Sequence, residues 1–301
     1  MALYQYLKES SWDRKEKYFK NNFSPCRLCP RECSAKREIN RKGICLAGKE
    51  LRIASFNLHF GEEPPISGKR GSGTIFFSGC TLKCIFCQNF PISQLNNGKH
   101  YSIDKLAEIL LGLQERGAHN INLVSPTPYL NHFVSALRIA AGKGLNIPIV
   151  LNSGGYERVD IIKELEGIID VYMPDFKYSG PEISEKYSGV RDYHEIVLPA
   201  ISEMYRQVGS LITDDDDVAV KGLIIRHLIL PGHTENSISV LKKIGKSSFR
   251  NAYQSLMSQF FPAYRSSDDI DLKRRLTSEE YEEVKSVAIE EGLVKGWFQD
   301  I

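Results

Sequence analysis

Short apolar runs alternate with segments of helical periodicity along most of the chain, from Thr74 to the C-terminal region. The apolar runs predict strands over residues 74–78, 120–125, 147–151, 168–173, 222–230 and 254–261. The segments of 3.6-residue period predict helices over residues 103–114, 129–141, 157–166, 190–208, 235–244 and 277–291. This regular alternation indicates a parallel sheet with right-handed crossover connections.

The spacing of the predicted strands favours an incomplete barrel. A closed eight-stranded α/β barrel typically needs about 250 residues, whereas roughly 190 residues run from the first predicted strand to the last. We therefore predict an α/β fold, a partial (β/α)6 barrel of the TIM type. Ligands of such folds bind at the carboxyl ends of the strands, so the functional side chains should follow the strands.

Polar side chains do follow the predicted strands or lie near their ends. The candidate ligand-binding residues at this rim are Thr127, Asn152, Ser153, Asp175, Lys177, Arg226 and His227. Other roles are open for some of them. Asp175 and Lys177 could also form a surface ion pair. Arg226 and His227 could be a hydrogen-bonded pair in the core. Thr127, between two prolines, could only shape a turn.

Three cysteines directly follow the first predicted strand. Cys80, Cys84 and Cys87 have the spacing C-x3-C-x2-C, and no cysteine follows them. A cubane 4Fe–4S cluster normally takes four thiolates, so a cluster on this loop would keep one iron open, as catalytic metal sites do. The alternatives for the loop are a zinc knuckle and buried free thiols.

The other four cysteines form a separate group nearer the N-terminus, namely Cys26, Cys29, Cys33 and Cys45. All 7 cysteines lie in the first third of the chain, and an odd number crowded in this way argues for metal binding and against a disulfide framework. The short, charged segment around the four cannot bury much of a core, so a metal would substitute for one. Four thiolates suit zinc and a second iron–sulfur cluster equally. Thiols that bind nothing are the remaining alternative.

Composition narrows the class of protein. Hydrophobic content of 42% and charged content of 25% are ordinary for a soluble globular protein. The net charge of +2 gives no reason to expect nucleic acid or a membrane surface as a partner, and no apolar stretch is long enough to cross a bilayer. We expect a cytoplasmic protein. Glu62 and Glu63, in a Gly- and Pro-rich loop, are expected to be solvated.

These observations divide the chain into four parts. Residues 1–25 contain an N-terminal helix, predicted over residues 3–19, and residues 26–50 form a four-cysteine metal module. The barrel follows over residues 51–265, and residues 266–301 form a C-terminal helical extension.

The chain resembles the radical S-adenosylmethionine (SAM) enzymes, and within them the group of the pyruvate formate-lyase activating enzyme. It is most similar to a branch that has an N-terminal four-cysteine module. The resemblance covers nearly the whole chain and is carried by residues 26–31, 61–73, 77–80, 87–89, 170–177, 226–232 and 257–262.

The resemblance implies a set of cofactors and ligands. Cys80, Cys84 and Cys87 would ligate a 4Fe–4S cluster, and the SAM amino and carboxylate groups would chelate its open iron. Phe86 would lie near the adenine. Asp175 would help to hold a monovalent cation or the SAM head, with Lys177 beside it. Arg226 and His227 would contact SAM or the substrate.

The resemblance also implies a reaction and its partners. Reduction by a flavodoxin- or ferredoxin-like donor would cleave SAM to a 5'-deoxyadenosyl radical, which abstracts hydrogen from a substrate. That substrate would be a glycine of a glycyl radical enzyme. The alternatives are modification of a small molecule or of another protein, and a non-catalytic iron–sulfur protein for electron transfer or sensing.

Two positions depart from the family pattern. Relatives carry Gly-Gly-Glu after the second strand, where this chain has Ser125-Pro-Thr127-Pro128. Thr127 or a backbone carbonyl would have to replace that glutamate. Gln88 stands where some relatives have histidine.

Overall fold

A single mixed sheet forms the centre of the computed structural model, which describes residues 2–300. Within these residues the strands are β1 (Leu51–His59), β2 (Ser72–Phe77), β3 (Lys99–Tyr101), β4 (Ile121–Val124), β5 (Ile149–Ser153), β6 (Val171–Pro174), β7 (Ile212–Thr213), β8 (Ala219–Leu228), β9 (Tyr253–Met257) and β10 (Gly296–Phe298). The α-helices are α1 (Glu9–Asn21), α2 (Pro64–Ser67), α3 (Phe90–Ser93), α4 (Ile103–Glu115), α5 (Leu130–Gly142), α6 (Val159–Glu164), α7 (Pro181–Ser188), α8 (Tyr193–Val208), α9 (Thr234–Gly245) and α10 (Ser278–Glu290).

The sheet is the partial α/β barrel that the sequence predicts. Its strand order is β10-β9-β8-β6-β5-β4-β2-β1-β3, and β7 pairs with β8 off this path. Pairing is parallel from β2 to β10, whereas β1 runs antiparallel to both β2 and β3. All six predicted strands are present. A seventh parallel strand, β10, was not predicted. Its three residues are too few to show a periodicity in the sequence.

The segment before the first predicted strand does more than lead into the barrel. Residues of β1 pair along β2, with Phe56 opposite Ile75. The short helix α2 then places Ile66, which is fully buried, against Val150 and Ile224. Ile66 therefore belongs to a small core near the start of the parallel strands, away from their carboxyl ends.

Helix boundaries follow local chemistry. Ser102 caps α4 as predicted, because its Oγ accepts a hydrogen bond from the Lys105 N–H at 3.1 Å. The predicted helix over residues 190–208 begins later, at Tyr193, and the unpredicted α7 precedes it. Gly189 separates the two with φ of +65°, a left-handed conformation typical of a residue just after a helix.

The predicted N-terminal helix over residues 3–19 is interrupted. A 3-10 turn (Leu3–Tyr6) comes first, and the extended Lys8 precedes α1. The turn is fixed because the Leu3 N–H donates to a carboxylate oxygen of Asp170 at 2.7 Å. Within residues 2–300, no helix combines the length and the apolar character that crossing a membrane requires.

Candidate active site

The three-cysteine loop joins the end of β2 to α3 and is held by backbone hydrogen bonds. The Lys83 N–H donates to the Ser188 carbonyl at 3.0 Å, and the Ile85 N–H donates to the Tyr187 carbonyl at 2.9 Å. From the other side, the Arg265 N–H donates to the Ile85 carbonyl at 2.8 Å. The loop is thus fixed to the end of α7 and to the segment after β9.

Two of the thiols contact serine hydroxyls. Cys84 Sγ lies 2.9 Å from Ser188 Oγ, and Cys87 Sγ lies 3.0 Å from Ser93 Oγ. The Tyr178 hydroxyl lies 2.5 Å from Ser188 Oγ and continues the first chain. Each serine can donate its proton to a thiolate sulfur, which stabilises the charged form of the cysteine.

The spacing and burial of Cys80, Cys84 and Cys87 fit a cluster better than a single ion. All three line one cavity of about 240 Å³. Burial raises the pKa of each thiol, that of Cys80 to about 11, so a metal is needed to hold them as thiolates at neutral pH. Throughout residues 2–300 they do not form a set with all sulfurs within 4.8 Å of one another. One tetrahedral zinc would hold its sulfurs about 3.8 Å apart, whereas a cubane binds each thiolate to a different iron.

A polar network lines the same cavity, opposite the cysteines. Arg226 Nε donates to Asp175 Oδ1 at 2.8 Å, and Arg226 Nη2 donates to Asn152 Oδ1 at 2.7 Å. Lys177 Nζ lies 2.5 Å from Asp175 Oδ2. Ser153 also lines the cavity. The structure therefore brings five of the predicted rim residues together.

The charges of this network keep Asp175 ionised. Burial alone would raise the pKa of Asp175, but the Arg226 guanidinium and then the Lys177 ammonium outweigh it and hold that pKa below its usual value. Both carboxylate oxygens already accept hydrogen bonds from these cations.

Phe86 and Thr127 occupy different surroundings. Phe86 lines the cavity and packs against Phe260, with ring centroids 6.1 Å apart. Thr127 lies behind the cavity wall, where its hydroxyl donates to Glu157 Oε1 at 2.9 Å. Glu157 was missed by sequence reasoning, although the pair Gly154-Gly155 just before it marks a tight bend at the end of β5.

His227 points away from the cavity that Arg226 lines. Its Nδ1 lies 2.6 Å from the Phe176 carbonyl oxygen, and its Nε2 lies 2.8 Å from Ser237 Oγ. Alternation along β8 explains this, because neighbouring residues of a strand face opposite sides. The structure thus gives His227 the surroundings of a hydrogen-bonded core residue.

The expectation that Glu62 and Glu63 are solvated is wrong. The Glu63 side chain is only 3% exposed, and its Oε1 lies 3.1 Å from Ser255 Oγ and 3.9 Å from Arg226 Nε. Glu62 approaches Asn152 Nδ2 at 3.5 Å. The reason is the insertion of α2 at the base of the barrel, which carries the preceding loop inward. The sequence did not predict this burial, because two glutamates followed by two prolines show no hydrophobic periodicity.

The four-cysteine module packs beside the three-cysteine loop. Cys26, Cys29 and Cys45 are buried and Cys33 is half-buried. In the described part of the chain, the one group of three candidate ligand atoms lying all within 4.8 Å is His233, Asp269 and Asp271. A lysine already contacts that group, since Lys186 Nζ lies 2.6 Å from Asp269 Oδ2.

The fold and the cavity define a class, a partial α/β barrel with a three-cysteine loop at the carboxyl ends of its strands. Residues 74–244 match the family model of the Radical SAM superfamily. The chain belongs to this superfamily, and membership implies a 4Fe–4S cluster and SAM as cofactors.

A relative is known from Methanocaldococcus jannaschii, with the name "Uncharacterized protein MJ0674". It is 33% identical over 293 residues, which cover 94% of this chain and 80% of that protein. The likeness therefore extends through the four-cysteine module.

Three solved structures are similar to part of this chain. Methylornithine synthase (PylB) has a TM-score of 0.47 and 18% identity, covering 70% of this chain and 60% of that one. Native anSMEcpe with bound AdoMet has a TM-score of 0.45 and 14% identity, and the match covers 76% of this chain and 59% of that one. Streptococcus suis SuiB bound to precursor peptide SuiA has a TM-score of 0.45 and 13% identity, and the match covers 70% of this chain and 43% of that one. This chain spans less than two thirds of each of them.

Proposed function

We propose that the protein cleaves SAM reductively at a 4Fe–4S cluster held by Cys80, Cys84 and Cys87. When bound, these two cofactors supply a 5'-deoxyadenosyl radical that abstracts a hydrogen atom from the substrate. The observation that carries the proposal is the single cavity in which three thiols face the network of Asp175 and Arg226.

The residues of the network have roles that suit the charges of SAM. The amino acid head of SAM is a zwitterion next to a sulfonium. Lys177 and Arg226 are placed to donate hydrogen bonds to its carboxylate, and Asp175 is placed to accept from its ammonium. Asp175 then takes the part of the glutamate that is absent after β4. The Phe86 ring offers an apolar face to the adenine.

We extend this proposal to a protein substrate, a glycine residue of a partner enzyme. Support comes from the resemblance to the pyruvate formate-lyase activating enzyme group. The exposed aromatic residues Phe261 and Tyr264, which follow the cavity-lining Gln259, also suit a protein surface. Hydrogen abstraction from the glycine Cα would leave a glycyl radical on the partner.

SAM cleavage is tested with anaerobically reconstituted protein, SAM and dithionite. We expect 5'-deoxyadenosine in the wild type and none in Cys84→Ala. SAM cleavage by Cys84→Ala would show the proposal to be wrong. A wild-type protein that assembles its cluster but does not bind SAM would instead support an electron-transfer or sensing protein.

The substrate is tested separately. The active protein is used to capture a partner, and the mixture is examined by electron paramagnetic resonance (EPR). A doublet on the partner from a carbon-centred radical supports glycine as the target. SAM cleavage without a radical on any captured protein would favour a small molecule or a different protein modification.

A further inference from the structure

The proposed chemistry leaves one group of reactive side chains unused, the four-cysteine module of residues 26–50. We propose that Cys26, Cys29, Cys33 and Cys45 hold an iron–sulfur cluster in place of zinc, and that the module's basic surface receives an acidic one-electron carrier protein. Only the purpose of that electron, SAM cleavage, rests on the proposed function.

Backbone geometry gathers the four thiols. The Cys26 N–H donates to the Ala35 carbonyl at 3.0 Å and the Ser34 N–H donates to the Cys26 carbonyl at 3.1 Å, which folds Cys33 back beside Cys26. Gly43 brings in the fourth thiol. A methyl group on Gly43 would lie 3.1 Å from Cys33 Sγ and 3.5 Å from Cys45 Sγ, so these two sulfurs flank one small space.

The spacing of these sulfurs separates the two candidate metals. Within residues 2–300, no three of the four sulfurs lie all within 4.8 Å of one another. A tetrahedral zinc site would place every pair about 3.8 Å apart. A cubane spreads its four thiolates over four irons and needs the wider arrangement. The spacing of the sulfurs therefore favours a cluster over a single zinc ion.

A buried arginine points at the same place. Arg37 is 1% exposed, and its Nη2 lies 3.5 Å from Cys45 Sγ. Its Nε has no hydrogen-bond partner. A guanidinium is buried only when an anion compensates it. Four thiolates on an iron–sulfur core supply that negative charge.

The module contacts the catalytic loop directly. Arg31 Nε donates to the Thr81 carbonyl at 2.7 Å. The Cys45 carbonyl oxygen is so close to Gly79 that a methyl group there would lie 2.2 Å from it. Cys45 of the module therefore contacts Gly79, the residue just before Cys80 of the catalytic loop. Two clusters placed here would be neighbours.

The outer surface of the module is basic. Besides the buried Arg37, residues 26–50 contain six Lys and Arg (Arg27, Arg31, Lys36, Arg41, Lys42, Lys49) and three acidic residues (Glu32, Glu38, Glu50), a net charge of +3 against +2 for the whole chain. Lys36, Arg41 and Lys42 are exposed, as is Ile39 at 65%. A net positive surface with an exposed apolar residue suits an acidic protein partner.

The redox step is a simple one-electron transfer. A reduced carrier, flavodoxin- or ferredoxin-like, would give one electron to the cluster held by Cys26, Cys29, Cys33 and Cys45 and would be oxidised by one. That cluster would return to its oxidised state on passing the electron to the site of Cys80, Cys84 and Cys87. No bond forms or breaks, and no proton moves.

The metal is tested with Cys80, Cys84 and Cys87 all replaced by alanine and the protein reconstituted anaerobically. We expect about four iron and four sulfide to remain per chain, against about eight of each in the wild type. The variant should also give an EPR signal on reduction. Zinc in place of iron, or about four iron in the wild type, overturns the proposal. Neither result depends on SAM cleavage.

The docking surface is tested with the wild-type cysteines present. Lys36→Glu, Arg41→Glu and Lys42→Glu are combined, and the matched control combines Lys242→Glu, Lys246→Glu and Arg250→Glu, which are exposed on and after α9. We expect the first variant to be reduced by a reduced acidic ferredoxin about tenfold more slowly at low salt, and by dithionite at the wild-type rate. Equal rates with ferredoxin for both variants would disprove the docking surface.

Discussion

The hydroxyl of Ser188 lies 2.9 Å from Cys84 Sγ, and it sits at the end of a hydrogen-bonded chain from Tyr178. Hydrogen bonds to the sulfurs are one of the main determinants of an iron–sulfur potential. We therefore expect a single uncharged residue on α7 to set part of the reduction potential of a cluster held by the three cysteines.

Ser188→Ala should lower the reduction potential of the catalytic cluster. The lost O–H donor stabilises the reduced cluster, which is the more negative form, more than the oxidised one. Ser184→Ala is the matched control on the same helix, because the Ser184 hydroxyl donates to the Pro181 carbonyl at 3.0 Å. Anaerobic redox titration followed by EPR measures both variants. Equal potentials for Ser188→Ala and the wild type would contradict this role.

Glu157 should make stability fall as pH rises. Burial raises its pKa to about 8, although the Thr127 and Ser153 hydroxyls lower it in part. In the unfolded chain the pKa of the same carboxyl is about 4.3. Between these values the folded protein binds more protons than the unfolded chain, so the free energy of unfolding falls by up to about 1.4 kcal/mol per pH unit.

Glu157→Gln keeps the neutral form and removes this titration. We expect the variant to lose less stability than the wild type between pH 6 and pH 8, measured by denaturant unfolding at both values. The exposed Glu235→Gln serves as the control and should follow the wild type. A Glu157→Gln variant with the wild-type pH dependence would disprove the buried, protonated carboxyl.

Among the elements, the bend after β5 is tightly constrained. Gly155 has φ of +75°, and a methyl group on it would lie 2.1 Å from the Asp175 carbonyl oxygen. Gly155→Ala should destabilise the fold by about 1–3 kcal/mol through backbone strain. It should also weaken SAM binding roughly tenfold or more, the effect of about 1.4 kcal/mol, because Asp175 is displaced.

The matched control is Gly112→Ala in the interior of α4. No heavy atom lies within 4 Å of the added methyl group there, so the change should stabilise the helix by about 0.5–1 kcal/mol and leave SAM binding unchanged. Isothermal titration calorimetry and thermal unfolding compare the two variants. Similar behaviour of both glycine variants would refute the role of the bend.

The predictable elements are those whose apolar pattern is long. Residues 103–114 show four apolar residues on one face and a capping serine, and α4 matches within one residue. By contrast, α7 has mostly polar residues and a single turn-forming glycine after it, and β10 has three residues. Such elements form because they pack against the rest of the sheet and the cysteine loop. These contacts are distant in sequence, so a short stretch of sequence does not reveal them.

The same limit applies to the site. Asp175 and Lys177 follow β6 and Asn152 lies near the end of β5, so their convergence could be predicted from the parallel sheet alone. Glu63 and Glu157 could not, because each reaches its partners through a loop whose path depends on tertiary packing. His227 could be separated from Arg226 by strand alternation, had the register of β8 been known.

For the molecule as a whole, α2 acts as the base of the barrel, and Ile66→Ala tests this. Ile66 is fully buried against residues of three parallel strands. Its truncation should lower the free energy of unfolding by about 2–5 kcal/mol. The exposed Ile270→Ala, at a position 74% exposed, should have almost no effect. A small loss for Ile66→Ala, measured by denaturant unfolding, would mean that α2 does not close the barrel.

The order of these parts along the chain has a consequence for biogenesis. Every cysteine precedes residue 88, whereas Ser188, Arg226 and Arg265, which surround the three-cysteine loop, come much later. During synthesis on the ribosome, both thiol groups emerge before the barrel that buries them can form. The nascent thiols are then open to oxygen and to adventitious metals. Delivery of iron and sulfide should therefore be coordinated with the completion of the sheet, and aerobic expression should yield folded chains with oxidised thiols.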